Sequence, residues 1–272
     1  MSEQFVLNDS DRADFDKFKS VVLRRTGIDL NLYKPQQMHR RLQALVERAN
    51  LKSFSDYARI IEGSSDEMAT FLDRMTINVS ELFRNPEKWT EVREKILPPM
   101  IQKATAQGRP LRVWSAGCSF GAEPYTLAMI LDEIAPKLRT SLLATDIDDK
   151  ILAKARQGRF LEMDIKNVPP SCRTKYLSQD GTGFQVNTAL RSKITFRKHN
   201  LLADPFEKDF DLIACRNVVI YFTDDAKDRL YRRFTDALRP SGIIFVGGTE
   251  RIFNYREIGL DSRIPFFYDR VK

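Results

Sequence analysis

The chain of 272 residues is 42% hydrophobic and 30% charged, the make-up of a soluble globular protein long enough for one large or two small domains. Its 44 lysines and arginines against 37 acids leave a net charge of +7, and no apolar run approaches the length of a membrane span. Residues 1–20 are acidic and polar, which predicts no secretory leader; three scattered cysteines predict a reducing, cytoplasmic setting without a disulfide or zinc framework; and His39 and His199 lack the neighbours of a metal site.

Up to about residue 80 the spacing predicts short amphipathic helices over 11–26, 35–50, 53–62 and 65–75, with Asp9, Ser10 and Ser53 as capping candidates. The basic excess concentrates here: residues 21–60 hold eight Lys/Arg against three Asp/Glu. In the second helix Met38, Leu42, Leu45, Val46 and Ala49 recur at helical spacing, and Arg41 and Arg48 lie two turns apart along one edge of that face. Such a stripe suits an acidic partner, nucleic acid included, and equally a solvated face.

Beyond residue 80 the pattern changes. A helix over 86–107 precedes strand candidates 111–115, 141–145, 193–198, 210–214 and 242–247, which alternate with helices 122–135, 148–157 and 224–238. That alternation predicts a mainly parallel sheet with right-handed crossovers, and Pro265–Val271 offers a final antiparallel strand. Residues 160–192 break the rhythm with Pro169-Pro170, Gly181-Thr182-Gly183 and Phe184-Gln185-Val186, and read as a small β insertion of one or two hairpin strands.

Leu111–Tyr125 passes from an apolar strand through Gly117-Cys118-Ser119-Phe120-Gly121 into a helix, the way an α/β fold builds a nucleotide pocket. The next strand ends on Asp146, placed to accept both hydroxyls of a ribose. A dinucleotide fold needs G-x-G-x-x-G at the first turn, whereas Glu123 stands here where phosphates would sit. A carboxylate there repels phosphate and suits the amino acid and sulfonium of S-adenosylmethionine. Read alone, the same segment is equally an ordinary strand-turn-helix with Glu123 a solvated acid favoured by the helix dipole.

Four longer matches carry a resemblance: Met75–Arg84 (M-T-I-N-V-S-E-L-F-R), V-W-S-A-G-C-S-F-G-A-E-P-Y from Val113, A-T-D-I-D from Ala144, and C-R-N-V-V-I-Y-F from Cys215. With these the whole chain resembles the bacterial chemotaxis receptor glutamate O-methyltransferases of the CheR type. The resemblance implies a Rossmann-like S-adenosylmethionine-dependent methyltransferase domain over 81–272, a small all-helical N-terminal domain over 1–80 for receptor recognition, and a β insertion at about 160–192.

The same resemblance implies cofactor contacts from Asn78, Ser80, Arg84, Glu123, Asp146, Asn200, Leu201, Cys215, Arg216 and Asn217, with no metal. It places Arg216 and Tyr221 near the transferred methyl; on this reading Arg84 or Arg216 would hold the substrate carboxylate and Tyr221 would position the methyl or the attacking oxygen, although Tyr221 beside Phe222 also reads as core packing. The partner implied is the helical cytoplasmic domain of a methyl-accepting receptor, met by Arg40, Arg41 and Arg48. Some relatives also tether a receptor peptide on the insertion; the sparser glycines of Asp180–Asn187 point to a protein without that tether. The alternative is a nucleic-acid methyltransferase on the same fold, but C-R-N-V stands where an N-P-P-[YF] base-binding motif would follow the fourth strand.

Overall fold

Asp14 accepts the amides of Phe54 and Ser55 at the start of one helix, and Ser53 accepts the amide of Asp56, so helix ends early in the chain are closed by side chains that the sequence supplies locally or from one helix away. The computed structural model describes residues 9–75 and 80–271. Among the described residues the chain begins with α1 Asp9–Thr26, α2 Pro35–Arg48, α3 Phe54–Gly63 and α4 Ser65–Met75. Pro35 opens α2 at a position whose N–H would be unpaired anyway. The chain continues through α5 Pro86–Glu91, α6 Leu97–Ala106, β1 Leu111–Ala116, α7 Ala122–Ile134, β2 Thr140–Asp146, α8 Asp149–Gln157 and β3 Arg159–Leu161. It then forms α9 Pro170–Tyr176, β4 Leu177–Asp180, β5 Gly183–Val186, α10 Thr188–Arg191, β6 Ile194–Lys198, β7 Phe210–Cys215, α11 Asp224–Ala237, β8 Leu238–Val246, β9 Leu260–Ile264 and β10 Phe267–Arg270.

Two compact units result. One holds α1 to α4 together with Val219–Arg229. Its core is aromatic: Phe18 is fully buried, stacks on Tyr57 at 6.0 Å and meets the edge of Phe71 at 5.7 Å. The later segment is bound in through Lys34 N to Tyr221 O and Thr223 N to Leu32 O, both 2.9 Å, and through the edge-on rings of Tyr33 and Phe222.

The other unit is built on a seven-stranded sheet of order β6-β2-β1-β7-β8-β10-β9. The first five strands are parallel; β10 runs antiparallel to β8, and β9 antiparallel to β10. Successive connections run outward from β1 on one side and from β7 on the other, so the crevice at the carboxyl ends of β1 and β7 is the switch point where such sheets bind ligands. The insertion is a separate antiparallel sheet of order β3-β5-β4, with α9 and α10 around it.

Three features depart from the local pattern. The helix expected over 86–107 contains a π turn at Val92–Ile96 just before Pro98 and Pro99, which have no N–H to give to the preceding turn. Strand β8 begins at Leu238 rather than 242: Pro240-Ser241-Gly242 reads as a loop, yet it is absorbed as a bulge, since Phe210 pairs with Leu238 while Leu212 pairs with Ile243. Strand β9, absent from the sequence reading, carries Asp261, Ser262 and Arg263 at the sheet edge, where no apolar alternation is required.

Candidate functional site

The carboxyl end of β1 is shaped by backbone conformations that few residues adopt. Gly117 has φ +80°, and a Cβ there would lie 2.5 Å from Val218 Cγ2, so only glycine lets these segments approach. The amides of Gly117 and Cys118 both donate to Thr145 O, at 2.8 and 2.9 Å, which pins the turn to the end of β2. The amide of Ser119 donates to Asp146 Oδ2 at 2.9 Å, and that of Asp148 to Oδ1 at 3.1 Å. Each oxygen of the half-buried Asp146 thus takes one backbone N–H, Oδ2 from the turn after β1 and Oδ1 from its own turn, and retains acceptor capacity for a ligand hydroxyl. Burial pushes its carboxyl above the usual carboxylate range, against the pull of the Ser119 amide.

Glu123 occupies the first turn of α7, where the helix dipole favours an anion. Ser115 Oγ donates to its Oε1 at 2.7 Å, and Arg216 Nη1 lies 3.8 Å from Oε2. Burial raises this carboxyl too, with Arg216 and Ser115 opposing.

Arg216 is enclosed, at 8% exposure. Its guanidinium lies 5.0 Å from the Trp89 ring and 4.6 Å from the Phe245 ring, and Nη2 donates to Arg84 O at 3.0 Å and Asn85 Oδ1 at 3.1 Å. The Arg84 carbonyl also accepts Trp89 Nε1 at 2.9 Å. Phe83 and Asn85 both have positive φ, and the bonds from Leu82 N to Asp164 O and from Phe83 N to Thr126 Oγ1, both 2.9 Å, help hold this strained segment.

One residue that the sequence reading missed organises the far side of the site. Glu250 is 3% exposed, and its carboxylate accepts the amides of Asn217 and Gly247 on Oε2, each at 2.7 Å, and of Val218 on Oε1 at 3.0 Å. It therefore fixes the turn after β7 to the turn after β8, with Asn217 held at φ 60° and Val218 set against Gly117. A Cβ on Gly247 would stand 2.6 Å from Glu250 Oε2, so that glycine is a consequence of the carboxylate. The only local signal was an acid after G-G-T, indistinguishable from a loop residue.

The structure brings Glu123, Arg216 and Arg84 together, with Cys215, Asn217 and Glu250 adjoining. Cys215 and Cys118 are buried thiols pushed well above the ordinary range, chiefly by burial, which makes them small packing residues rather than nucleophiles. Asn200 Oδ1 accepts the amide of Leu202 at 2.9 Å, and Leu201 O accepts Arg233 Nη1 at 2.7 Å, so the loop after β6 is ordered from both sides. Ser80 is half-buried, and Asn78 lies outside the described residues.

Tyr221 belongs to the helical unit, where the guanidinium of Arg41 lies over its ring at 4.7 Å and Arg41 Nη1 donates to Met75 O at 3.0 Å. Of the expected basic stripe, Arg41 is thus engaged inside its own unit, while Arg40 and Arg48 are exposed.

These residues fit an adenosine-bearing cation. Asp146 offers a two-oxygen acceptor at the strand tip, Glu123 offers negative charge at the helix start, and the glycine turn gives close backbone access; a pyrophosphate would meet two carboxylates instead.

Comparisons with known proteins point to one family. The family model described as "CheR methyltransferase, SAM binding domain" matches residues 78–261, and that described as "CheR methyltransferase, all-alpha domain" matches residues 13–76. The chain is 36% identical to the chemotaxis protein methyltransferase of Listeria monocytogenes serovar 1/2a, covering 94% of this chain and 96% of that protein. It is 34% identical to the one from Borreliella burgdorferi over 88% of each chain, and 32% identical to the one from Escherichia coli over 92% of this chain and 87% of that protein. Among solved structures, the glycopeptide N-methyltransferase MtfA complexed with S-adenosyl-L-methionine has 14% identity and a TM-score of 0.34, covering 54% of this chain and 48% of that chain.

Proposed function

This chain belongs to the CheR methyltransferase family, and from that premise we propose that it methylates the side-chain carboxylates of specific glutamates on chemoreceptors, giving methyl esters in the cytoplasm. The methyltransferase activity and its S-adenosylmethionine dependence come with the family; the glutamate and the receptor are our reading. The observation that supports it most is the placing of two half-buried carboxylates, Glu123 and Asp146, around a glycine turn.

When bound, S-adenosylmethionine supplies an electrophilic methyl on a sulfonium. Asp146 would hold the ribose hydroxyls, Glu123 the methionine portion, and the Asn200-Leu201 loop the adenine, with Asn78, Ser80, Cys215 and Asn217 completing the cradle. A substrate glutamate is already ionised at neutral pH, so no side chain has to remove a proton. The tasks left to the chain are alignment and exclusion of water from a reaction in which a cation and an anion neutralise each other.

Within that scheme Arg216 works through its neighbours: its guanidinium faces Glu123, and its other donors fix Arg84 O and Asn85. We assign the substrate carboxylate to the half-buried Arg84, with Arg216 as the cation that opposes the effect of burial on Glu123. Arg40 and Arg48, with Arg41 behind them, are the proposed meeting surface for an acidic receptor helix, without a peptide tether.

The test is incubation with methyl-labelled S-adenosylmethionine and either a receptor cytoplasmic fragment or RNA, followed by mild alkali. Carboxyl esters release volatile methanol, and methylated bases do not. Alkali-stable label on RNA, with none on the receptor fragment, would overturn the reading.

A further inference from the structure

The loop from Gly247 to Gly259 leaves β8 at the sheet edge where the parallel strands β1, β2 and β7 also end. Its inward side is tightly held. Glu250 binds three backbone amides, its own amide donates to Gly247 O at 2.9 Å, and Ile252 N donates to Tyr268 Oη at 3.1 Å while the Ile252 side chain is buried.

Because Glu250 and Ile252 point inward, the alternating residues Arg251 and Phe253 point out. Phe253 is 89% exposed, the highest of the large hydrophobic side chains among the described residues. Arg251 is exposed, with no ion pair among the described residues, and Arg256, three positions beyond Phe253, is exposed beside the Tyr255 ring. An exposed phenylalanine on a floppy loop needs no explanation. On a loop whose backbone is braced by a buried carboxylate, that ring is presented in one place.

We propose that Arg251, Phe253 and Arg256 form a docking surface on the sheet-bearing unit for the helical substrate that carries the methyl-accepting glutamate. This rests on the proposed function. An amphipathic acidic helix matches both halves of the surface: its carboxylates meet Arg251 and Arg256, and the apolar seam beside them receives the Phe253 ring. Glu250 ties the same loop to Asn217 and Val218, so a helix seated here lies against a loop braced to the cofactor turn.

Phe253→Ala and Arg251→Glu test the proposal in the full chain, with a receptor cytoplasmic fragment as substrate. Both side chains are exposed, so the melting temperature and S-adenosylmethionine affinity should stay at wild-type values. KM for the fragment should rise about tenfold in each variant with kcat changed less than about twofold, and the Arg251→Glu effect should shrink as salt is raised. Wild-type KM in both variants, with an active wild-type enzyme, overturns the docking surface alone. A wild-type enzyme that leaves the receptor fragment unmethylated overturns the functional reading, and the docking surface with it.

Discussion

Replacing Glu250 by glutamine keeps the shape of the side chain and removes its charge and one acceptor. In the native chain Oε2 takes two amides at 2.7 Å and Oε1 takes a third at 3.0 Å. A glutamine would turn its oxygen to the pair from Asn217 and Gly247, leaving its NH2 facing the amide of Val218, donor against donor. Two charge-assisted hydrogen bonds become neutral ones, each weaker by about 1 kcal/mol, and the third becomes an unsatisfied buried donor at about 1–3 kcal/mol. Relief from burying a charge offsets part of this. The net loss of about 3 kcal/mol corresponds to a melting temperature lower by about 6–12 °C. Thermal denaturation followed by circular dichroism reads it directly. A shift within about 2 °C of wild type would refute the view that this carboxylate braces the two turns.

Gly117→Ala forces a side chain into positive φ and onto Val218, costing about 1–2 kcal/mol for the backbone alone; calorimetric titration should find weaker S-adenosylmethionine binding, and unchanged affinity would count against the close approach described. Burial raises the carboxyls of Glu123 and Asp146, so the stability they contribute to the free protein is fully present below the ordinary carboxylate range and is lost as pH rises through their raised values. Binding of a cationic cofactor runs the other way, and its affinity should fall as pH drops through those raised values; a flat profile down to the ordinary carboxylate range would sink the assignment. Arg216→Lys abandons the ring stack and the paired bonds to Arg84 O and Asn85, and kcat should drop at least about tenfold in the methanol-release assay, the equivalent of about 1.4 kcal/mol. Charge reversal at Arg40 and Arg48 together should raise KM for receptor while leaving cofactor affinity alone; an equal fall in both would make the stripe structural.

Much of the site was legible because it is written in contiguous residues. The strand, glycine turn and helix of 111–134 and the acid ending β2 are patterns of residue type that each show within a few positions, although the bonds that join them, Ser119 N to Asp146 and Gly117 N to Thr145 O, cross between neighbouring strands. Glu250 was not legible because its partners at 217 and 218 lie 33 and 32 positions away, and no periodicity marks an acid that turns inward between exposed neighbours. The enclosure of Arg216 was hidden for the same reason: its walls, Trp89 and Phe245, come from opposite ends of the unit's sequence.

By itself the sequence determined the helical beginning, the parallel β/α alternation, the β insertion and the strand-turn-helix that carries Glu123, since hydrophobic period and turn residues act over a few positions. Tertiary structure decided which charges are spoken for. Arg41 and Arg216 read as surface or substrate cations, yet each lies over an aromatic ring and donates to a backbone carbonyl. Whether a charge faces solvent depends on what the rest of the chain packs against it, and that is set by long-range burial, not by neighbours in sequence.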